Sequence, residues 1–519
     1  MLRAEMLNRV RTRPQDWDFI IIGGGATGVG CAVDAASRGF DVLLLEQDDF
    51  GKGTSSRSTK LVHGGVRYLA QGNLALVKEA LKERGILKKN AAHLVKIQSF
   101  IVPCYSLWQK CFYGAGLKIY NLLSKKYGFG KSKILSKKET LRKLTNLKQK
   151  NLRGGVLYFD GQFDDARLLI DLVKTAAKQG ATVLNYAKVV ALTKHENKVD
   201  GVKFRAVETG EEFTVKAKVV INATGAFCDA VREMSDEKAT KIVAPSQGIH
   251  LVFDEKFLPS GNALMIPKTS DGRVLFAIPW HGKIVFGTTD TPVETAELEP
   301  RALENEIEFV LQTAGKYLET APQREDIKSV FVGIRPLVKS AKTKHTAALS
   351  RDHTIEFDEA NLLTVTGGKW TTYRWMAEDA INQAIAKNDL PVKNCVTENL
   401  KIHGSCEDAE RFGDLAVYGA DAEKIRELIG ENPDLAEKLH EDLPYRAAEI
   451  IWAIRFEMAQ TVEDVLARRT RALFLNAQAA MEIAPRAAAL MAREMRKDGD
   501  WISEQIEKFN ETAKNYLPL

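Results

Sequence analysis

The chain has 519 residues, of which 45% are hydrophobic and 27% charged, and its formal net charge is +6. This length allows two to four domains with large cores, and the composition is that of a soluble globular protein. No run approaches 18 uninterrupted apolar residues, so a membrane-spanning helix is not expected. The six cysteines are scattered without a CxxC pair, which argues against a disulfide scaffold, a zinc site or an iron–sulfur cluster and fits a reducing cytoplasm.

The first predicted elements follow a tail, residues 1–17, which lacks the apolar segment of a secretory signal and is expected to be frayed or weakly helical. The stretch "DFIIIGGGATGVGCAVDAASRGFDVLLLEQDD" then predicts a strand, a tight turn, a helix and a second strand. Gly23, Gly25 and Gly28 form GxGxxG, in which two glycines admit a pyrophosphate and the third lets helix and strand pack closely. Glu46 ends the second strand, where a carboxylate accepts hydrogen bonds from ribose hydroxyls. The unit predicts dinucleotide binding but does not choose FAD over NAD.

Three further stretches favour FAD. "GKGTSSRSTK" (51–60) supplies small hydroxyl side chains for a loop beside a phosphate and a flavin edge, and "AKVVINATGAFCDAV" (217–231) and "NLLTVTGGKWTTYRWMAEDAI" (361–381) are strands that run into glycine-containing turns. An NAD domain normally completes its site within about 150 contiguous residues, whereas these turns recur over about 350. The pattern predicts a Rossmann-type FAD-binding domain that other domains interrupt, formed by residues 18–95, 151–245 and 335–390.

Residues 96–150 are predicted to form a basic amphipathic insertion. Residues 101–150 hold 12 Lys/Arg and a single acid, Glu139, so the excess of positive charge belongs to this segment and the remaining chain is net negative. Aromatic residues interleave with the lysines, which is typical of a helix lying on an anionic lipid surface. A solvated insertion that packs its aromatics on the protein is the alternative. Because the positive charge is confined to this one segment, nucleic acid is not expected as a partner.

Two further domains are predicted from the rest of the chain. Residues 246–334 alternate apolar and polar positions between turn signals, which indicates an antiparallel sheet over the substrate side of the cofactor. From about Cys395 the composition shifts to Ala, Glu, Leu and Arg with helical periodicity, which predicts a C-terminal all-helical cap domain, residues 395–519. The expected fold class is therefore α/β, or α+β for the chain as a whole.

Seven motifs together resemble one family: "GGGATGVG", "GTSSRSTKLVHGGVRYL", "FDDARLLIDLVKTA", "NATGAFCDAV", "IPWHGKIVFGTTDT", "GIRPL" and "TGGKWTTYR". Over nearly its whole length the chain is similar to the FAD-dependent glycerol-3-phosphate dehydrogenases of the D-amino-acid-oxidase-like flavoprotein superfamily. The resemblance implies FAD as cofactor, sn-glycerol 3-phosphate as substrate and a membrane quinone as electron acceptor. It also implies a cytoplasmic protein attached peripherally to the inner face of the cell membrane, with an anionic lipid surface as partner, and leaves a homodimer open.

The resemblance also implies site residues. The substrate pocket is expected to contain Arg67, Tyr68, His250, Arg335 and Lys369, whose cations would hold a phosphate dianion. Hydride transfer from C2 to flavin N5 requires a base for the C2 hydroxyl; His63 and His250 compete for this role, and Arg335 is the alternative as a stabiliser of the alkoxide. No metal site is predicted. The residues expected to contact FAD are Gly23, Gly25, Thr27, Gly28, Glu46, Thr54, Ser55, Ser56, Lys60, His63, Gly64, Gly65, Val189, Ala223, Thr224, Gly225, Gly287, Thr288, Asp290, Gly368, Lys369, Thr371 and Thr372.

Other functions stay open at this point. A related glycerol-3-phosphate oxidase would send its electrons to oxygen, and the direct run from "TTYRWMAEDAI" into the C-terminal region favours the dehydrogenase because the oxidases of the family carry an insertion there. Another oxidase of the same superfamily would need fewer cations for its carboxylate substrate. A flavoprotein-fold binding module without activity is the non-catalytic alternative.

Overall fold

The computed structural model describes residues 2–66, 69, 73–339 and 353–518. Within this part of the chain, two large sheets carry most of the strands and the C-terminal quarter is mainly helical. The strands are β1 Trp17–Ile22, β2 Val42–Leu45, β3 Leu61–Val62, β4 Lys96–Cys104, β5 Lys133–Leu135, β6 Gly154–Gln162, β7 Thr182–Leu184, β8 Ala187–His195, β9 Lys198–Ala206, β10 Glu212–Asn222, β11 Val243–Asp254, β12 Ala263–Ile266, β13 Leu275–Trp280, β14 Lys283–Gly287, β15 Thr291–Pro292, β16 Ser329–Val338, β17 His353–Phe357, β18 Leu363–Gly367, β19 Lys438–His440 and β20 Leu443–Arg446. The α-helices are α1 Arg3–Thr12, α2 Ala26–Ser37, α3 Leu74–Asn90, α4 Leu107–Ser124, α5 Lys137–Lys143, α6 Asp165–Lys178, α7 Cys228–Ser235, α8 Glu304–Tyr317, α9 Tyr373–Lys387, α10 Ala422–Glu431, α11 Ala447–Glu457, α12 Ala472–Leu475, α13 Ala477–Met495 and α14 Gly499–Lys514.

The first sheet is the predicted Rossmann-type sheet. Its parallel strands run in the order β18–β10–β1–β2–β7, and β17 and the β8–β9 ribbon join it in antiparallel pairing. In β1, Phe19, Ile20 and Ile21 are fully buried because helices cover the sheet, and α2 packs against both α6 and α9. The carboxyl ends of β1, β2 and β10 therefore meet at one edge, beside the turn that contains Gly23.

The second sheet is larger than the one expected over residues 246–334. Its order is β15–β11–β14–β13–β12–β4–β6–β3, with β16 beside β11 and β5 beside β6. The insertion predicted over residues 96–150 is therefore not a separate unit, since it supplies β4 and β5 to this sheet and carries α4 between them. The reason is local: β4 ends in Phe100–Cys104, a run that is buried and pairs with β6 along its whole length.

The two ends of the chain also differ from expectation. The segment expected to be frayed or weakly helical forms the helix α1 and is packed on the protein, since Met6, Leu7 and Val10 are buried and Arg3 Nε donates to the carbonyl of Asn185 at 3.0 Å. The C-terminal region has the predicted helices, and α13 packs on α14 and α11. It is not all-helical, because β19 and β20 form a two-stranded antiparallel sheet within it.

Helix α4 leaves one of its faces uncovered. Leu117 and Tyr120 are buried against the second sheet and α3, whereas Trp108 and Leu122 are 69% and 77% exposed. Leu107, Phe112 and Ile119 are exposed on the same helix, and so are Lys118, Lys125 and Lys126 at or just beyond it. Within the described residues, no helix combines the length and apolarity needed to cross a bilayer.

Candidate active site

The turn between β1 and α2 brings three backbone segments together. Gly23 has a φ of 112°, and a Cβ there would lie 2.6 Å from the carbonyl oxygen of Ala223 at the end of β10. A Cβ on Gly28 would overlap the carbonyl oxygen of Gly23. These glycines are therefore required by close packing. The first residues of α2, Ala26 and Thr27, line an adjoining cavity, and the N-terminus of a helix stabilises an anion.

Glu46 lies at the end of β2, as the fingerprint predicts. Its carboxylate accepts hydrogen bonds from the backbone N–H groups of Gly24 at 2.6 Å and Asp48 at 3.0 Å. Burial raises the pKa of Glu46 to about 7, although both backbone donors act to lower it. The backbone thus fixes the orientation of this carboxylate before any ribose reaches it.

A cavity of about 510 Å³ lies at this edge of the first sheet, which is within the usual size range of a ligand site. It is lined by the β1–α2 turn, the ends of β2 and β10, the 51–55 loop, β8 and the turn after β18. The residues predicted to contact FAD that line it are Gly23, Gly25, Thr27, Glu46, Thr54, Ser55, Val189, Ala223, Thr224, Gly225, Gly368 and Lys369. The lining also includes Lys52, Gly53, Pro336 and Trp370, which were not predicted as contacts although each lies inside one of the quoted motifs.

Several predicted contact residues lie behind the wall of the cavity. The Lys60 ammonium is fully buried, 2.7 Å from an Asp165 carboxylate oxygen and 2.8 Å from the carbonyl of Ser56, and burial lowers its pKa to about 7 against the effect of Asp165. This side chain is not among those that line the cavity. Gly28, Ser56, Gly64, Thr371 and Thr372 also support the lining from behind.

A second cavity, of about 160 Å³, lies against strands of the second sheet. Of the predicted residues, it is lined by His63, Gly65, Thr288, Asp290 and Arg335. The polar lining residues that the sequence analysis missed are Thr59, Asp160, Arg273 and Thr289, and its apolar wall includes Leu61, Phe100, Tyr158, Met265 and Phe276. Arg335 lines both cavities, so the two spaces adjoin at this residue.

The position of Arg335 is held by hydrogen bonds within the second sheet. Its Nη2 donates to the carbonyl of Thr289 at 2.9 Å and lies 3.1 Å from Thr288 Oγ1, and its Nη1 is 3.3 Å from an Asp290 carboxylate oxygen. A Cβ on Gly248 of β11 would come within 2.5 Å of Nη2, so a glycine there makes room for the guanidinium. The charge of Arg335 is thus fixed at the junction of the cavities.

His250 was predicted to be in the substrate pocket, but it is not among the residues that line the two cavities described above. Its side chain is 3% exposed and stacks on Phe331 with ring centroids 4.7 Å apart. Its Nε2 lies 2.9 Å from Thr59 Oγ1. Burial lowers the pKa of His250 well below its ordinary value, and the charges of Lys60 and Arg335 lower it further. His63 is therefore the predicted base that the structure brings to the cavity.

Two of the three cations expected to bind one phosphate lie among the described residues. Arg335 lines both cavities and Lys369 lines the larger one, whereas Arg67 and its neighbour Tyr68 lie outside the described residues. Among the residues that are described, no group of three or more His, Cys, Asp or Glu side chains could hold a metal ion.

The loop after Glu46 is anchored by the C-terminal region. The Asp49 carboxylate is fully buried; it accepts from Arg468 Nε at 2.5 Å and from the two terminal nitrogens of Arg469 at 2.7 and 2.8 Å. Burial would raise the pKa of Asp49, but the two guanidinium groups hold it well below its ordinary range. Arg471 Nη2 donates to the Ser56 carbonyl at 2.7 Å. The loop that lines the larger cavity is thus attached to the C-terminal region by buried charges.

Comparisons with known proteins agree with this architecture. Residues 18–378 match the family model described as FAD dependent oxidoreductase, and residues 395–501 match the C-terminal domain of alpha-glycerophosphate oxidase. The chain is 40% identical to a mitochondrial glycerol-3-phosphate dehydrogenase of Homo sapiens, with 99% of this chain and 74% of the relative covered. For a mitochondrial glycerol-3-phosphate dehydrogenase of Arabidopsis thaliana the identity is 38%, with coverage of 96% and 86%.

A solved structure extends the agreement to the whole fold. The glycerol-3-phosphate dehydrogenase of Bacillus halodurans, complexed with FAD, is similar with a TM-score of 0.81 at 29% identity, over 100% of this chain and 98% of that one. The L-alpha-glycerophosphate oxidase of Mycoplasma pneumoniae, at 16% identity and a TM-score of 0.55, shares the fold alone. The glycine turn at the β1 edge, the paired cavities and these full-length matches assign the chain to the FAD-dependent oxidoreductases, within the glycerol-3-phosphate dehydrogenase family.

Proposed function

We propose that the protein binds FAD in the larger cavity and oxidises sn-glycerol 3-phosphate to dihydroxyacetone phosphate in the smaller one. The observation that carries this proposal is the position of Arg335, a residue that lines both cavities. A substrate bound beside Arg335 in the smaller cavity would therefore lie next to the larger cavity, in which FAD would bind. The names of the relatives, all glycerol-3-phosphate dehydrogenases, support this choice of substrate.

The residues around the larger cavity fit a dinucleotide. The N-terminus of α2 and the Gly23–Gly25 turn would bind the pyrophosphate, Glu46 would accept from ribose hydroxyls, and Lys369 would add a positive charge. Bound FAD would supply the acceptor for the hydride that leaves C2 of the substrate. The glycines are needed for this fit, because side chains at Gly23 or Gly28 would run into neighbouring backbone.

In the smaller cavity, side chains of the protein would deprotonate the C2 hydroxyl of the substrate and stabilise the charge on its oxygen. His63 would accept the proton of the C2 hydroxyl on its imidazole, because it is a histidine of that lining. Arg335 would stabilise the negative charge that develops on the hydroxyl oxygen, and its hydrogen bonds to Thr289 and Thr288 keep it in place for this task. Phosphate binding by Arg67, Arg335 and Lys369 stays a prediction.

Anaerobic bleaching of the bound flavin tests the reaction. We expect glycerol 3-phosphate to bleach it, and glycerol and D-alanine to leave it oxidised. Arg335→Met is expected to slow bleaching by about a hundredfold, in line with the loss of one oxyanion-stabilising donor. Arg205→Met, on an exposed residue of the first sheet, is the control and is expected to bleach at the wild-type rate. Bleaching by D-alanine and not by glycerol 3-phosphate would contradict the proposal.

We also propose that the electrons pass to a membrane quinone and that α4 attaches the protein to the inner, cytoplasmic face of the cell membrane. The exposed Trp108 and Leu122 would enter the lipid interface, with Lys118, Lys125 and Lys126 beside anionic headgroups. Each lysine near such a surface contributes about 1 kcal/mol, so the three lysines together would give salt-sensitive binding.

Sedimentation with vesicles that contain anionic lipid tests the attachment. Replacement of Lys118, Lys125 and Lys126 by Gln is expected to release the protein from these vesicles at low salt. The same change at the exposed residues Lys198 and Lys438 is the control and is expected to leave binding intact. Equal binding of both variants would refute a role for α4. Turnover with a soluble quinone analogue, compared with turnover under oxygen, separates the dehydrogenase from an oxidase.

A further inference from the structure

We propose that Thr59 binds the hydroxyl group of the substrate that is oxidised, and that His250 is a positioning residue that orients Thr59. The inference rests on the proposed function and assigns a role to a residue of the smaller cavity that was not among the predicted site residues. It also gives His250 a role that its position permits, since its side chain lies behind the lining and contacts the cavity through Thr59.

The contact between the two side chains is specific. Thr59 lies on the segment that joins the turn at Thr54–Ser56 to β3, and it lines the smaller cavity together with His63 and Arg335. Thr59 Oγ1 is 2.9 Å from His250 Nε2, which is a normal hydrogen-bond distance. The hydroxyl of Thr59 is therefore the point at which the buried imidazole acts on the cavity.

The sheet holds the imidazole in one orientation. His250 on β11 is paired with Phe331 on β16 and with Gly287 on β14. The imidazole lies nearly parallel to the Phe331 ring, at an interplanar angle of 14°, and a Cβ on Gly287 would overlap it. A glycine on one side and an aromatic ring on the other thus leave a slot that fits a flat side chain and restricts its rotation.

The surrounding charges keep this imidazole neutral. Lys60 and Arg335 are the cations that face it, and burial acts in the same direction, so the protonated form is disfavoured. A neutral imidazole carries one N–H, and we assign this hydrogen to Nε2, which then donates to Thr59 Oγ1. The Thr59 hydroxyl can in turn donate its own hydrogen to an acceptor in the cavity. The oxygen of a secondary alcohol is such an acceptor, so a bound alcohol is oriented while its own hydrogen stays available to His63.

The test combines steady-state kinetics with an inhibitor that lacks the reacting group. Thr59→Val is expected to lower kcat with glycerol 3-phosphate by about tenfold to hundredfold, the range for the loss of one strong hydrogen bond. The inhibition constant of 3-hydroxypropyl phosphate, which has no C2 hydroxyl, is expected to change by less than about twofold. Thr59→Ser is expected to restore most of the activity. Thr313→Val, on a buried threonine of α8 far from the cavity, is the control.

A double-variant cycle tests the role of His250. His250→Gln alone is expected to lower kcat, but to have little further effect when Thr59→Val is present, since both act through one hydrogen bond. Full additivity would overturn the positioning role, because a histidine that acts directly on the substrate does not need Thr59. An equal rise of the inhibition constant and fall of kcat in Thr59→Val would overturn hydroxyl binding. Wild-type protein without glycerol 3-phosphate turnover would overturn the proposed function as well, whereas wild-type turnover that Thr59→Val leaves within twofold would overturn only the role of Thr59.

Discussion

The attachment of the 46–60 loop to the C-terminal region makes Asp49→Asn an informative change. The substitution removes one buried negative charge that faces the guanidinium groups of Arg468 and Arg469. Arg468 keeps carboxylate partners, Glu463 at 2.7 Å and Asp464 at 2.9 Å. Arg469 keeps, among the described residues, mainly the carbonyl of Glu457, because the carboxylate of that residue is 4.0 Å away. One buried cation is therefore left with poor compensation.

The expected loss of stability follows from the partners that remain for Arg468 and Arg469. Removal of one partner from a buried ion pair costs about 3–5 kcal/mol, and the remaining partners of Arg468 favour the lower end, about 3 kcal/mol. Urea unfolding of the FAD-loaded protein, followed by flavin fluorescence and by circular dichroism, measures the apparent loss. Flavin release is expected to shift at least as far as the dichroism signal, since the loop lines the cofactor cavity.

Two further variants test whether the buried charge pair causes this loss of stability. Glu423→Gln removes a carboxylate from an exposed pair with Arg411, whose side chains are 61% and 54% exposed, and is expected to cost less than about 1 kcal/mol. The double variant Asp49→Asn with Arg469→Met is expected to recover part of the loss, because it no longer leaves a buried charge unpaired. If Asp49→Asn costs no more than Glu423→Gln, the buried pair does not hold the loop.

The remaining predictions concern packing and protonation. Gly28→Ala is expected to raise the dissociation constant of FAD by about tenfold or more in a fluorescence titration, because its Cβ would overlap the carbonyl of Gly23. Gly53→Ala is the control: Gly53 lines the larger cavity, no described atom lies within 4 Å of its Cβ, and the variant is expected to bind FAD normally. Equal affinities of the two variants would contradict the packing argument. The pKa of His250 is lower in the folded protein than in the unfolded chain, so its contribution to stability is present above about pH 6.5 and declines as the unfolded chain takes up the proton at lower pH. From pH 7.5 to pH 5.5, unfolding measurements are expected to show the wild type losing about 1.4 kcal/mol more than His250→Gln, and parallel pH profiles would refute a neutral buried imidazole.

Local chemistry explains what could be predicted of the site. The run from β1 to Glu46 is a contiguous unit, and its glycines are recognisable because a turn with a φ of 112° at Gly23 and the contact at Gly28 exclude other residues. The same reasoning found the turns at Thr224 and Gly368, which also line the larger cavity. Each of these features depends on a few neighbouring residues, so the pattern is visible in the chain itself.

The smaller cavity depends on distant segments, and there the predictions were less complete. Lys60 lies in a stretch whose small hydroxyl residues favoured a cofactor contact. Its ammonium instead pairs with Asp165, more than 100 residues away, and this buried ion pair keeps the Lys60 side chain out of the cavity lining. Thr59 belongs to the site because the register of β11 places His250 behind it. No short pattern marks either contact, since the partners are 105 and 191 residues apart in the chain.

The amino-acid sequence by itself determined the family, the cofactor-binding unit and the helical character of the C-terminal region, because these follow from motifs and periodicity within contiguous segments. Tertiary structure alone decided that β4 joins the second sheet, that Arg335 lies between two cavities, and that His63 lines the smaller one while His250 lies behind Thr59. Strand register and buried ion pairs join residues that are far apart in the chain, and their free energy depends on burial, which exists only once the chain has folded.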